Sequence, residues 1–204
     1  MKNKEIIEIK LKNLIQNKAL IPTKIPNKKI IFHEGDVCNY LGYILSGKIN
    51  ISTISFDGKE EIISSFNSGD FFGQFLIFNS INNKYLGDVV ATSNSEILLI
   101  SKATLNSILM NDDELLRAYI GAISEESYKA KQQVKMLSHK NSTDRIIYYL
   151  TNNSINNKID IVNITHLAKI VNLPRENVSR IISSLIKKGD ITKEGSIITI
   201  LNLH

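Results

Sequence analysis

Residues Ile164 to Ser183 read ITHLAKIVNLPRENVSRIIS, and their spacing decides the architecture of the last third of the chain. Numbered from one, the window has apolar residues at four (Leu167), eight (Val171), ten (Leu173), fifteen (Val178) and eighteen (Ile181). The small Ala168 stands at five and Asn172 at nine. Two short helices that cross steeply need a small side chain at their closest approach, and Ala168 supplies it. The turn between them usually takes a positive φ, which Asn tolerates better than most residues. Asn163 is placed to cap the first helix. Pro174 suits the first turn of the second, where its missing N–H removes no hydrogen bond. The pattern is that of a helix-turn-helix.

Working outward, the second helix turns Val178, Ile181, Ile182 and Leu185 inward and leaves Arg175, Glu176, Ser179 and Arg180 outward. Any surface helix shows charges, so a solvated polar face is the plain alternative. In a helix-turn-helix, however, this face suits the major groove of double-stranded DNA. Arg can donate two bonds to guanine O6 and N7, and Glu can accept from cytosine N4. Downstream, Lys187 to Ile191 leads into Thr192 to Ser196 and then Ile197 to Ile200. This predicts two short strands about a glycine turn, a wing beside the recognition helix. Lys187, Lys188 and Lys193 are expected near the phosphate backbone, where contacts position a protein without specifying sequence. Upstream, a helix around Thr143 to Leu150 should bury Ile146, Ile147 and Leu150, with a polar loop from Thr151 to Lys158. From Ser138 onward there are nine Lys/Arg against five Asp/Glu, while the preceding 137 residues hold sixteen against fifteen. The net charge of +5 is thus concentrated where a polyanion would be met.

Between Asp112 and Leu137 there is no Pro and no breaking density of Gly. Leu116, Ile123, Ala130 and Leu137 recur every seven residues, with Ile120, Ser127 and Val134 four after each of the first three. This is a coiled-coil-like seam flanked by charged residues, and it favours pairing with a second copy over packing on the chain's own domain. Ser127 and Ala130 weaken its centre.

Before about Leu109, Gly35, Gly47, Gly58 and Gly69 punctuate the chain at steps of twelve, eleven and eleven residues. The intervals hold β-favouring stretches such as Tyr43 to Leu45, Ile49 to Thr53 and Ile62 to Phe66, followed by Val89 to Thr92 and Ile97 to Ile100. Short strands at this spacing read as an all-β barrel or roll. The fold class is therefore α+β: an N-terminal antiparallel β barrel or roll (1–110), a long dimerisation helix (111–137) and a C-terminal winged helix-turn-helix (138–204).

Composition narrows the function further. The chain has 204 residues, 43% hydrophobic and 22% charged, as in ordinary globular proteins. No apolar run approaches the length of a membrane span. Met1 to Lys12 is charged throughout and lacks the apolar core of a signal peptide, so a cytoplasmic location is expected. The single Cys38 excludes an internal disulfide and a four-cysteine cluster from one chain. It reads as a small residue near a turn, because no lysine run or histidine flanks it to stabilise a thiolate. His33, His139, His166 and His204 are scattered, with no metal-ligand spacing. No phosphate loop or nucleophile elbow is present, so neither an enzyme nor a metal or cofactor site is expected. A pure nucleotide-binding module without DNA affinity is the other rival, and the helix-turn-helix argues against it.

The arrangement resembles the CRP/FNR superfamily of bacterial regulators across nearly the whole chain. The likeness rests on IFHEGD (Ile31 to Asp36), YLGYILSGKI (Tyr40 to Ile49), DGKEEII (Asp57 to Ile63), SGDFFGQF (Ser68 to Phe75) and PRENVSR (Pro174 to Arg180). It implies that the N-terminal domain is a β-roll sensor domain, and that a homodimer binds a two-fold symmetric promoter site, with RNA polymerase as a further partner. By the same likeness, Arg175, Glu176 and Arg180 occupy base-contacting positions, and Ser179 matches the serine of FNR-like members. A half-site containing TGA is the expectation. Members that bind a cyclic nucleotide resemble one another in a cassette of the form FGE…RS, whose Glu accepts from the ribose hydroxyl and whose Arg pairs with the phosphate. Here Gly73 and Phe75 flank Gln74 in place of that Glu, and the Arg position falls at Lys84 or Tyr85. A lysine offers a point charge without the planar fork. The polar Thr-Ser pair of cyclic-AMP-binding members corresponds to Ala130 and Lys131. The resemblance thus implies a degenerate pocket that does not take cyclic AMP. An unidentified small-molecule effector, a pocket using Gln74 and Lys84 instead, and no ligand at all remain open.

Overall fold

Strand alternation builds the first half of the protein. In β7 (Asp88–Ala91), Val89 and Ala91 are buried while Asp88 and Val90 are only partly covered, the two-residue period of a strand with one face on a core. The computed structural model describes residues 3–203 and divides into two units, one reaching Glu125 and the other starting at Glu126.

The first unit opens with α1 (Asn3–Gln16), then β1 (Thr23–Ile25), β2 (Ile30–Phe32), β3 (Tyr40–Ser46), β4 (Lys48–Ile54), β5 (Glu60–Asn67) and β6 (Phe71–Phe72). After β7 come β8 (Ser95–Ser101), α2 (Lys102–Met110) and the start of α3 (Asp113–Ser138). Two four-stranded antiparallel sheets, ordered β1-β8-β3-β6 and β2-β7-β4-β5, form the expected roll. Ile44, Ile49, Phe72, Ile77 and Ile97 are fully enclosed in its core. Gly47 joins β3 to β4 at φ +93, where a Cβ would lie 2.2 Å from the Ser95 hydroxyl oxygen; only glycine fits both demands.

The helix α1 was not expected. The charges of the N-terminal run mask the helical face that Ile7, Leu11 and Leu14 share. Ile7 and Leu11 are buried against the roll's core. Lys10 pairs with Asp112 at 2.8 Å and Glu114 at 3.1 Å, and the Asn3 amide donates to Glu125 at 2.7 Å. Met1 and Lys2, part of that run, lie outside the described residues.

The long helix α3 does two jobs. Leu115, Ala118 and Tyr119, all off the heptad seam, are buried in the first unit. Along the seam, Leu116, Ile123, Ser127 and Leu137 are partly covered, while Ile120, Ala130 and Val134 stand exposed. Ile120 and Val134 are 55% and 68% accessible. The seam is therefore divided: Leu116 and Ile123 pack on the chain's own core, while Ile120 and Val134 are left open.

The second unit continues with α4 (Ser142–Asn153), β9 (Lys158–Asp160), α5 (Ile164–Val171), α6 (Arg175–Lys188), β10 (Ile191–Glu194) and β11 (Ile197–Ile200). Its core holds Ile146, Leu150, Leu167, Val171, Val178 and Ile198; Ile147 is only partly covered. The loop expected from Thr151 to Lys158 is shorter in fact. The helix α4 runs on to Asn153, and Lys158–Asp160 forms a third strand against β11. The chain reverses through Asn156 and Asn157, at φ 50 and 60, between Ile155 and Lys158. Two successive positive φ values make this a turn type that asparagine accepts, so the Asn pair was the readable signal.

Candidate functional site

The helix-turn-helix is held by the residues the spacing singled out. The Asn163 side chain caps α5, accepting from the His166 N–H at 2.8 Å. Asn172 ends it in the left-handed region at φ 51, and Leu173 N–H returns to the Ala168 carbonyl at 3.0 Å. Ala168 is buried. Pro174 sits one residue earlier than expected, at the N-cap of α6 with an extended ψ of 139 and no side-chain cap bond. The shift is physical: a ring in the next position would leave Leu173 to cap, whereas here Pro174's carbonyl starts the helix by accepting from Val178 at 3.1 Å.

On α6, Val178, Ile181, Ile182 and Leu185 are buried and Arg175, Glu176, Ser179 and Arg180 are exposed. Arg180 donates to the Asn177 side-chain oxygen at 3.0 Å, and the Asn177 amide reaches the Ser142 hydroxyl at 3.4 Å. These contacts border a cleft of about 450 Å³ lined by Asn141, Ser142, Thr143, Arg180, Ser184 and Lys188, among others. The cleft joins two cationic side chains to the first turn of α4, whose uncompensated N–H groups carry partial positive charge. Arg175 lies instead in a hollow at the turn with Thr165, Lys169 and Asn172. Sequence reasoning missed Asn141, Ser142 and Thr143. Their signal is the cap itself, since the Asn141 side chain accepts from Thr143 N–H at 2.8 Å. Lys187 is exposed, and the Lys193 ammonium is tied to the Gly195 carbonyl in the turn of the wing.

In the first unit, the cassette residues separate. Gly73 has φ +81, and a Cβ there would lie 2.9 Å from the Tyr40 carbonyl, 3.0 Å from the Cys38 sulfur and 3.4 Å from the Tyr85 hydroxyl. Tyr85 is 2% exposed. Its ring stacks on Phe32 with centroids 5.0 Å apart, and its hydroxyl lies 3.3 Å from the Cys38 sulfur. Burial drives the Tyr85 hydroxyl far above its ordinary range and raises the Cys38 thiol, so both keep their protons. Gln74 is buried, whereas Phe75 and Lys84 are exposed. Of the two positions aligned with the cassette arginine, one is thus a buried neutral phenol and the other a surface ammonium. Ala130 and Lys131 belong to the second unit, exposed on α3. Cys38, near the turn, is also a buried partner of the Tyr85 hydroxyl, in a cluster with Phe32 and Tyr40 that no local pattern marks. Among the described residues, no group of three His, Cys, Asp or Glu side chains could hold a metal, and no helix is long and apolar enough to cross a membrane.

The family model of the cyclic nucleotide-binding domain matches residues 22–112. Over 178 residues the chain is 28% identical to the cAMP-activated global transcriptional regulator Vfr of Pseudomonas aeruginosa, covering 82% of this chain and 83% of Vfr. It is 25% identical to the cAMP-activated global transcriptional regulator CRP of Pasteurella multocida over 186 residues, covering 87% and 88%. Its fold matches the catabolite activator protein of Thermus thermophilus with a TM-score of 0.52 at 19% identity, over 92% of this chain and 88% of that one. The chain is thus similar to regulators of the CRP/FNR superfamily in both sequence and fold. The relatives are named as transcriptional regulators, and the matched domain coincides with the roll.

Proposed function

We propose that the chain is a CRP/FNR-type regulator that binds a palindromic double-stranded promoter site as a homodimer, without cyclic AMP as its activator, and passes the signal to RNA polymerase. The observation that carries the reading is α6 itself. Its inner face is buried, its first turns offer Arg175, Glu176, Ser179 and Arg180 to a groove, and a cationic cleft lies alongside. In this reading Arg175, Glu176, Ser179 and Arg180 meet base edges. Lys187, Lys188 and Lys193 meet phosphates, and the start of α4 takes one more phosphate in the cleft shared with Lys188. The exposed Ile120 and Val134 support pairing through α3.

For the sensor domain, Tyr85 supports the absence of cyclic-AMP binding. A cyclic nucleotide brings a phosphate anion that needs a desolvated cationic partner, and the buried phenol of Tyr85 provides none. A second reading, a nucleotide-responsive regulator using Gln74 and Lys84, is favoured by the match to the cyclic nucleotide-binding domain and by relatives named as cAMP-activated. Fluorescence anisotropy on the chain's own promoter DNA, at fixed salt and with or without cyclic AMP, separates the two. Tight, specific binding that the nucleotide does not change is expected; weak binding rescued by cyclic AMP overturns the reading of Gln74, Lys84 and Tyr85.

A further inference from the structure

Arg145, on α4, reaches the ends of two other helices of the second unit. Its Nη2 donates to the carbonyls of Leu137 at 3.3 Å and His139 at 3.0 Å, where α3 closes. Its Nη1 donates to Val171 at 3.3 Å and Asn172 at 3.4 Å, where α5 closes. Its Nε is buried without a partner, so the contacts that hold it run to main-chain oxygens.

The chemistry of helix ends explains this. The last carbonyls of a helix have no N–H four residues on, and each end carries roughly half a negative charge. Two such ends together offer about one charge, which a single guanidinium matches. Its rigid fork spreads five donors over three nitrogens and so spans four carbonyls on two helix ends; an ammonium has three donors on one nitrogen and reaches fewer of them. The same end of α5 receives a further bond, from the Gln133 amide on α3 to the Ile170 carbonyl at 3.2 Å. The carboxyl end of α5, which leads straight into the turn before α6, is therefore held by donors from α3 and α4.

We infer that Arg145 is a positioning residue for DNA reading: it fixes the bearing of the helix-turn-helix on the end of α3, and thereby the half-site spacing that the dimer accepts. The inference rests on the dimeric DNA-binding function proposed above. A residue that only stabilised the fold would lower affinity for every site alike. A positioning residue changes which spacing is preferred while the bases read in each half-site stay the same.

The test is selection from randomised duplexes of about 30 bp, roughly three helical turns, by the full chain, Arg145→Lys and Gln133→Ala. The wild-type chain should enrich a symmetric site and prefer its spacing at least about fivefold over the same half-sites moved by one base pair, the low end of what one wrong pair costs. Arg145→Lys should enrich the same half-site bases with that preference reduced to about twofold or less, since its ammonium holds fewer of the carbonyls. A folded Arg145→Lys with unchanged spacing preference overturns the inference and leaves the proposed function standing. If Arg145→Lys melts below the assay temperature, Gln133→Ala decides. That variant removes one exposed donor from the same end of α5, and its spacing preference must fall; a wild-type preference overturns the inference. Failure of the wild-type chain to enrich any symmetric site overturns the proposed function itself.

Discussion

Arg180 and Lys188 line the same cleft, yet their loss should read differently on DNA. Arg180 is expected at a base edge, so Arg180→Ala should cost about 1–3 kcal/mol at the specific site and relax its preference. Titration of specific and random duplexes by anisotropy checks this, and equal loss on both would assign Arg180 to the backbone. Lys188→Ala should weaken specific and random binding alike and make the salt dependence shallower; an unchanged slope would place Lys188 away from the phosphates. Another residue invites a stability test. Val162 has φ 58 although its Cβ is branched, and it is 62% exposed, so it gains little by packing. The strained turn is pinned by the Asp160 carboxylate, which accepts the Val162 N–H at 2.9 Å. Val162→Asn should stabilise the protein by about 1 kcal/mol, the low end of the left-handed penalty for an L-residue. The thermal midpoint should rise; a fall would mean that the valine side chain contributes more than its exposure suggests.

At the level of elements, α1 is fastened where α2 gives way to α3. The hydrogen bond from Lys10 holds the Asp112 carboxyl below its ordinary range, helped by the Leu115 N–H. Asp112 in turn raises Lys10. The sign of the pH effect follows from the depressed carboxyl. Its contribution is present above the ordinary carboxylate range and is lost as pH falls through the lowered folded value. Asp112→Asn should therefore lower the thermal midpoint at pH 7, and the gap to wild type should close in acid, as pH falls through the lowered folded value. A gap that persists there would attribute the effect to the cap on Leu115 rather than to the ion pair. These elements also show what a local reading can reach. The helix-turn-helix was legible because Ala168, Asn172 and the apolar positions obey short-range rules of helix crossing and turn geometry. The strand β9 was not, because three residues become a strand only when β11 offers them a partner. The helix α1 lay between these cases, its apolar face written in Ile7, Leu11 and Leu14 but hidden within a charged run.

For the whole molecule, the exposed seam of α3 leads to a test of assembly. Sedimentation should give about twice the 23.0 kDa chain mass, since exposed apolar residues in a heptad register are best covered by a second copy. Ile120→Glu combined with Val134→Glu should give a folded monomer with reduced affinity for a palindromic site. A wild-type monomer at micromolar concentration would overturn the dimer, and a dimer unaffected by both changes would move its interface elsewhere.

The sequence by itself determined the order of the parts: the roll, the long helix and the helix-turn-helix with its outward Arg175, Glu176, Ser179 and Arg180. Those features depend on periodicity, caps and turns, which act between residues near one another in the chain. Only the tertiary structure decided that Tyr85 is buried against Cys38 and Phe32 while Lys84 faces water. It alone decided that Leu115 and Tyr119, off the seam, join Leu116 and Ile123 in anchoring α3, and that Arg145 serves one helix end 26 and 27 residues beyond it and another just before it in the chain. Burial and the pairing of orphaned carbonyls are settled by neighbours distant in sequence, so no local pattern carries them.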